Sequence, residues 1–210
     1  MIEYPSIINS SKAPRELCIA FDKLDGSNIR IKFTPKLGFN LFGSRTQLID
    51  SNHPFLGKVI DIFKTECEDR IYQVIKNNWT NEREIIIFGE FYGPNSFAGL
   101  HQPDDPHTFT MFDLMIGHKN RKFLLPQEFI KLFSGVVEIP RVIYEGNLND
   151  QFIVDVKSGK YDVIEGVVCK GKQRRGDYRG GVWSCKIKTQ KYLGLLKQKF
   201  GDEGLKRYGE

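Results

Sequence analysis

The sequence lacks the features that mark several common classes of protein. No run of apolar residues reaches the ~18 needed to cross a bilayer, so no transmembrane helix is expected. The N-terminus has no basic stretch followed by an apolar segment, so no secretory signal peptide is expected either. The four cysteines are widely scattered and match no zinc motif. These absences predict a soluble intracellular protein with reduced thiols.

The composition is otherwise that of an ordinary globular protein. Hydrophobic residues make up 40% and charged residues 27% of the chain, which is enough for a buried core without disulfides. The 210 residues contain no obvious linker, internal repeat or low-complexity stretch. The length and this continuity predict a single domain over residues 1–210.

The net charge of +5 conceals a basic segment near the C-terminus. Residues 170–199 contain ten basic side chains and one acidic side chain, so the rest of the chain is mildly acidic. Such a concentration of positive charge indicates a polyanionic partner, either nucleotide phosphates or nucleic acid. A solvated surface would give the same pattern.

Hydrophobic periodicity predicts a mixed α and β protein. Seven apolar or alternating segments are predicted as strands, at residues 17–22, 28–34, 38–43, 84–92, 109–116, 163–170 and 181–188. Helical spacing predicts helices over 55–77, from Pro126 through Phe133 and over 190–200.

Lys23 is the first candidate for chemistry, in the segment Lys23-x-Asp25-Gly26-Ser27-Asn28 after a predicted strand. A nucleophilic lysine must lose its proton, and burial or a nearby cation lowers the pKa of an amine. Taken alone, this segment is more typical of a charged turn.

Three further segments carry polar or aromatic groups inside apolar strands. Glu90 needs a hydroxyl, a cation or a structural hydrogen bond as its partner. Phe112, next to Asp113, would stack on a flat base unless it belongs to the core. Lys186 and Lys188 point to the same face of one strand, where a triphosphate would relieve their repulsion, although an exposed strand face is the alternative.

The order of these segments resembles the covalent nucleotidyltransferase superfamily, which contains the polynucleotide ligases and mRNA capping enzymes. The matching motifs, in chain order, are Lys23-x-Asp25-Gly26-Ser27-Asn28, Ser44-Arg45, Phe88-Gly89-Glu90, Met111-Phe112-Asp113, Glu165-Gly166-Val167-Val168-Cys169-Lys170 and Lys186-Ile187-Lys188. They span about residues 20–190. The resemblance implies an α+β fold, an ATP-grasp-like nucleotidyltransferase domain of antiparallel sheets flanked by helices.

Within the superfamily, the details resemble the phage-type RNA ligase 2 branch, which includes the RNA-editing ligases. Asn28 and the segment Gly89-Glu90-Phe91-Tyr92-Gly93 fit that branch. Asp25 departs from it, because many members carry histidine or another residue there, whereas aspartate is usual in DNA ligases and capping enzymes. Only 22 residues follow Lys188, so no C-terminal OB-fold or helical module is expected, which argues against capping.

The resemblance implies an ATP-dependent RNA ligase that uses Mg²⁺ or Mn²⁺ and passes AMP from Lys23 to a 5′-phosphate before sealing a nick. It assigns Lys186 and Lys188 to the α-phosphate and Glu165 to the metal. The other nucleotide contacts that it implies are Asp22, Asn28, Arg45, Glu90, Phe112 and Lys170. Among them, Arg45 would contact phosphate or the 3′ side of the nick, and Asn28 would orient phosphate or a metal-bound water. The basic loop predicted at residues 171–180 adds Arg174, Arg175 and Arg179 as candidates for binding the polynucleotide backbone.

The expected substrate is a nicked RNA duplex or an RNA/DNA hybrid, sealed in the cytoplasm by a monomer that a virus or phage could encode. A partner protein could replace the missing C-terminal domain. The alternatives are a minimal DNA ligase, a guanylyltransferase, a non-catalytic nucleic-acid-binding module and a nuclease. The nuclease would use Asp22, Asp25, Glu90, Asp113 and Glu165 to bind two metals. It would leave the lysines without a role.

Overall fold

The computed structural model describes residues 1–94, 101–172 and 181–208, with side chains as far as residue 206. Within these ranges the chain forms two compact units. The first unit contains Met1–Pro5 and Gly26–Ile139, and the second contains Ser6–Asp25, 140–172 and 182–208. The chain therefore passes from the second unit to the first between Asp25 and Gly26. A single domain over the whole chain stays a prediction.

Strands and helices follow one another in a mixed order. The strands are β1 (Ile8–Asn9), β2 (Leu17–Asp22), β3 (Ser27–Thr34), β4 (Gly38–Gly43), β5 (Leu48–Ile49), β6 (Ile85–Tyr92), β7 (Thr108–Ile116), β8 (Lys122–Phe123), β9 (Val142–Asn147), β10 (Gly166–Lys172) and β11 (Val182–Lys188). The helices are α1 (Lys58–Glu66), α2 (Glu68–Asn78), α3 (Pro126–Phe133), α4 (Asp150–Lys157) and α5 (Gln190–Tyr208). None of these helices has both the length and the apolar character that crossing a bilayer would require.

In the described part of the first unit, strands pair antiparallel in the order β5-β4-β3-β6-β7-β8. Alternate residues of β3 and β6, such as Ile31 and Ile87, are buried on one face of this sheet. They pack with apolar residues of α1, α2 and α3, including Phe63, Ile71 and Phe129. The alternation of apolar and basic residues along β3 thus determines which face of the sheet the helices cover.

In the described part of the second unit, the strand order is β1-β11-β10-β2-β9, and only β1 pairs in parallel. One face of this sheet contains Cys18, Cys169 and Cys185, which pack with Phe152 and Val156 of α4. All four cysteines of the chain are buried and unbridged. On the opposite face, Lys170, Lys186 and Lys188 of β10 and β11 lie beside the apolar residues Ile19 and Phe21 of β2.

The predicted elements agree with the structure in type, with three corrections. The helix predicted over 55–77 is α1 and α2, because Cys67 leaves helical geometry (φ −123°, ψ −35°). The strand predicted over 163–170 begins only at Gly166, where φ is +147°, and continues to Lys172. The helix predicted over 190–200 extends to Tyr208, with an interruption at Gly201, whose φ of +69° suits only glycine.

Candidate active site

The candidate nucleophile Lys23 directly follows β2 and lies against the start of β10. Its backbone N–H donates to the carbonyl oxygen of Gly166 (3.0 Å). A Cβ at Gly166 would overlap the carbonyl oxygen of Ile187 and lie 2.8 Å from the Cα of Lys188. Glycine at this position therefore lets the chain segments that carry the two lysines approach each other closely.

Glu165, directly before β10, joins two of the predicted lysines. Its Oε1 atom lies 2.9 Å from Nζ of Lys23 and 3.0 Å from Nζ of Lys188. The Glu165 side chain is only 4% exposed, so water shields these contacts little. A buried carboxylate needs such partners, and two neighbouring ammonium groups need an anion between them. The structure thus brings three predicted residues into one charge-compensated cluster.

Lys188 is the more buried of the two lysines. Its side chain is 9% exposed, against 21% for Lys23. Burial lowers the pKa of Lys188 below its ordinary value. The charge of Glu165 opposes this shift, whereas the charge of Lys23 adds to it. Additional negative charge beside Lys188, such as a phosphate group, would stabilise its ammonium form.

The strand register places two further lysines on the same face of the sheet as Lys188. The pairing of β10 with β11 places Lys170, Lys186 and Lys188 on the same face, opposite the apolar cluster that packs on α4. Lys170 is buried, and its Nζ lies 5.5 Å from the centre of the Phe21 ring. The predicted same-face placement of Lys186 and Lys188 therefore agrees with the observed register.

Asp22, the last residue of β2, is held by Arg141, which no sequence motif indicates. Arg141 donates to Oδ2 of Asp22 from Nη2 (2.7 Å) and Nε (3.2 Å), and to the carbonyl oxygen of Asp162 from Nη2 (2.6 Å). Burial raises the pKa of Asp22, although the hydrogen bonds and charge of Arg141 oppose the rise. Arg141 is far from Asp22 in sequence, and the pairing of β2 with β9 brings it to this carboxylate.

In the first unit, Asn28 and Glu90 lie directly opposite each other on β3 and β6. The side-chain oxygen of Asn28 is buried and has no hydrogen-bond partner among the described residues. The chain approaches β6 closely at Gly26, where a Cβ would lie 2.5 Å from the carbonyl oxygen of Phe91 and 3.0 Å from Cγ of Glu90. A hydrogen-bond donor on a ligand would satisfy the Asn28 oxygen.

Phe112 lies in a β-bulge, because Phe88 pairs with Asp113 and the next residue of β6 pairs with Met111. Tyr4 packs perpendicular to Phe112, with ring centroids 5.1 Å apart and an interplanar angle of 82°. The Tyr4 hydroxyl also donates to Oδ2 of Asp113 (2.8 Å). Tyr4 is a contact that no motif indicates, and the stacking of a base on Phe112 stays a prediction.

Arg45 is exposed in the turn between β4 and β5. Buried Arg30 holds this turn by donating to the carbonyl oxygen of Ser44 from Nε (2.7 Å). Its Nη1 donates to the carbonyl oxygen of Met1 (2.8 Å), so the turn is also linked to the N-terminal residues. The predicted backbone-binding residues of the basic loop lie outside the described residues: Arg174, Arg175 and Arg179.

Glu165 fits the metal-binding role predicted for it. In the parts of the chain that the structure describes, no three His, Cys, Asp or Glu side chains form a cluster that could hold a metal. Mg²⁺, however, is commonly bound through one or two carboxylates together with water and substrate phosphates. One buried carboxylate between two lysines therefore suits a metal that arrives with a nucleotide.

The antiparallel α+β architecture carries a cluster of Lys23, Glu165 and Lys188. A family model described as RNA ligase matches residues 16–188, which include all three residues of the cluster. The chain belongs to the RNA ligase family. The predicted family is thereby confirmed at this level.

Solved structures of an RNA ligase from Naegleria gruberi share the fold. A variant with ATP and manganese has a TM-score of 0.69 and 17% identity over 93% of this chain. A variant with AMP and manganese has a TM-score of 0.67 and 16% identity over 94% of this chain. Each match covers 58% of the Naegleria chain, so this chain spans less than two thirds of that ligase. No curated protein sequence matches this chain. The predicted α+β fold is confirmed.

Proposed function

We propose that this chain is an ATP-dependent RNA ligase that forms lysyl-AMP on Lys23, transfers the AMP to a 5′-phosphate and seals a 3′-hydroxyl/5′-phosphate nick. The observation that carries the proposal is the cluster in which one buried Glu165 oxygen contacts Lys23 and Lys188 within 3.0 Å. Two lysines held this way combine a nucleophile with a cation that can neutralise phosphate charge.

In the first step, neutral Nζ of Lys23 attacks the α-phosphorus of ATP. A nitrogen–phosphorus bond forms, and the bond from the α-phosphorus to the bridging oxygen breaks. Pyrophosphate leaves with that electron pair, while the amine proton passes to solvent. Lys186 and Lys188 stabilise the charge on the phosphate. Mg²⁺ or Mn²⁺ supplies further positive charge when bound, and Glu165 is the residue that would hold it.

The remaining nucleotide contacts are part of the same proposal. Phe112 stacks on adenine, Glu90 accepts from the ribose hydroxyls and Asn28 orients phosphate or a metal-bound water. The buried Asn28 oxygen, which lacks a partner among the described residues and stands opposite Glu90, supports a ligand contact on these strands. Asp22 and Lys170 add contacts to the base or the phosphates, and Arg45 contacts phosphate or, in the sealing step, the 3′ side of the nick.

The Naegleria ligase supports this assignment. It has been solved with ATP and manganese, with AMP and manganese, and with pyrophosphate. Its solved variants substitute a lysine and an aspartate at the same separation as Lys23 and Asp25. Another variant substitutes a glutamate at the same separation from that lysine as Glu165 from Lys23. Because that protein is an RNA ligase, Asp25 does not by itself indicate DNA as the substrate.

Labelling with α-labelled ATP and Mg²⁺ or Mn²⁺, followed by denaturation, tests the first step. The wild-type chain should retain an acid-labile label, and Lys23→Ala should retain none. Lys160→Ala is the matched control, because Lys160 pairs with Asp155 (2.6 Å) through an exposed side chain in the same unit. Failure to take label from any nucleotide would overturn the proposal, and label from GTP alone would indicate a guanylyltransferase.

The sealing assay uses nicked duplexes with RNA or DNA on each side of the nick. Our proposal, which places the chain in the phage-type RNA ligase 2 branch, predicts sealing of nicks in RNA duplexes or RNA/DNA hybrids by the monomer. Sealing of DNA nicks alone would indicate a DNA ligase. Sealing that requires a second protein would indicate that a partner completes the ligase.

A further inference from the structure

We propose that Tyr192 is a positioning residue for the reaction at Lys23 and that it acts through Asp25 and Lys188. The inference rests on the proposed function, but Tyr192 lies outside every motif that carries the family resemblance. It is the third residue of α5 and is only 2% exposed. Its hydroxyl contacts Asp25, and its ring contacts Lys188.

The hydroxyl end of Tyr192 holds Asp25. It donates to Oδ1 of Asp25 at 2.8 Å, and Asp25 is 8% exposed. A hydrogen bond to a buried, charged acceptor is both strong and directional, so it fixes the orientation of the carboxylate. Asp25 is two residues from Lys23, and its charge acts on the ammonium group of Lys188. The orientation of Asp25 therefore affects the electrostatic environment of Lys188.

The ring of Tyr192 covers Lys188. Nζ of Lys188 lies 4.9 Å from the ring centre, within the ~6 Å range of a cation–π contact. The ring stabilises this ammonium group without adding a second anion that would compete with phosphate. One side chain thus reaches Asp25, which is near the nucleophile in sequence, and Lys188, which is near it in space.

Tyr192 is itself fixed through Thr189. The Thr189 hydroxyl accepts from the N–H of Tyr192 (3.1 Å) and donates to the carbonyl oxygen of Ile164 (2.8 Å). The N–H of Thr189 donates to the carbonyl oxygen of Glu165 (2.9 Å). These bonds attach the first turn of α5 to the segment that carries Glu165, so Tyr192 is placed before any nucleotide binds.

The proposed role follows from the balance of charges around the nucleophile. Lys23 and Lys188 supply two positive charges, and Glu165 and Asp25 supply two negative charges. Without the Tyr192 hydroxyl, the Asp25 carboxylate could rotate and pair with the ammonium group of Lys188. That ammonium group would then be less available to the α-phosphate. The loss would therefore lower the rate of the chemical step more than the binding of ATP.

Two substitutions separate the two contacts of Tyr192. Tyr192→Phe removes the hydroxyl and keeps the ring, whereas Tyr192→Leu removes both. Tyr192→Phe should lower the rate constant for lysyl-AMP formation at saturating ATP by about tenfold, as expected for a hydrogen bond to a charged group. Tyr192→Leu should lower it by about threefold more. The KM for ATP should stay within about twofold of the wild-type value in both variants.

Tyr144→Phe is the matched control. It removes a hydroxyl of the same unit that donates to the backbone carbonyl of Asn147 (3.0 Å), away from the cluster. This variant should keep the wild-type rate. Urea unfolding of each variant separates a change in rate from a loss of folded protein.

A double-mutant cycle tests whether the hydroxyl acts through Asp25. In an Asp25→Asn background, Tyr192→Phe should lower the rate by no more than about twofold. A Tyr192→Phe protein with the wild-type rate, or an equal loss in both backgrounds, would overturn the inference and leave the proposed function intact. A wild-type chain that never takes up AMP would overturn the proposed function and the role of Tyr192 with it.

Discussion

Glu165→Gln is expected to destabilise the second unit, because it leaves two ammonium groups without their shared carboxylate. Nζ of Lys23 and Nζ of Lys188 lie 2.9 Å and 3.0 Å from the same Glu165 oxygen. The two nitrogens are therefore at most about 6 Å apart, where Coulomb repulsion is strong. Glutamine keeps the size of the side chain and one oxygen, so the substitution changes mainly the charge.

The size of the effect follows from these distances. Two unit charges about 6 Å apart repel by about 3 kcal/mol at an effective dielectric constant of about 20. The lost attraction between Glu165 and the lysines adds to this value, and local rearrangement reduces it. We expect the free energy of unfolding to fall by about 3–5 kcal/mol, as is typical when one partner of a buried ion pair is removed.

A second substitution tests the electrostatic cause. Lys188→Met alone should destabilise the protein, because it removes one partner of Glu165. Added to Glu165→Gln, however, it removes the repulsion, so the double variant should be more stable than Glu165→Gln by about 1–3 kcal/mol. Urea unfolding at neutral pH measures all four proteins. Additive effects, or a Glu165→Gln protein as stable as the wild type, would show that repulsion between the two lysines does not destabilise the variant.

Three other positions give predictions of different kinds. Gly166→Ala should lower the free energy of unfolding by about 1–3 kcal/mol in urea, because its φ is +147° and a Cβ would overlap the carbonyl oxygen of Ile187. Glu84→Gln should lower it by about 1–3 kcal/mol at neutral pH and by less below about pH 4, measured over a pH series. Arg30→Met should reduce nick sealing more than lysyl-AMP formation, measured in parallel, because it releases the turn that carries Arg45.

The sign of the Glu84 effect follows from its pKa. Burial raises the pKa of Glu84, but hydrogen bonds from Lys32 (2.8 Å) and Arg121 (3.1 Å) outweigh burial and leave it below the ordinary value. A carboxylate with a lowered pKa stabilises the fold above its unfolded pKa of about 4.3. This contribution is lost as the pH falls through the folded pKa.

Each of these predictions has an outcome that contradicts it. For Glu84→Gln, that outcome is a stability difference of constant size down to low pH. For Gly166→Ala, it is wild-type stability. For Arg30→Met, it is an equal loss in the adenylylation and sealing assays.

The fold could be predicted where local pattern and tertiary structure agree. β2 and β4 begin and end at the residues predicted from the sequence, and α3 begins at Pro126, the first-turn position that proline favours. The short strands β1, β5 and β8 contain two residues each, too few to show a period. β9 has no fully buried residue and therefore no clear alternation. α4 has eight residues, as α3 does, but no proline marks its first turn.

The site shows the same limit. The order of the motifs predicted that Lys23, Glu165 and Lys188 belong together, and the structure brings them into contact. Tyr192 and Arg141 could not be predicted in this way, because they reach Asp25 and Asp22 across 167 and 119 residues of sequence. Such contacts depend on strand pairing and helix placement, which no local pattern specifies.

The most direct test of the central claim is to identify the residue that carries AMP. The protein is incubated with ATP and Mg²⁺ or Mn²⁺, digested and mapped by mass spectrometry. We predict a single AMP adduct on the peptide that contains Lys23, and no adduct in Lys23→Arg. An adduct on another lysine, or none in a folded wild-type protein, would contradict it.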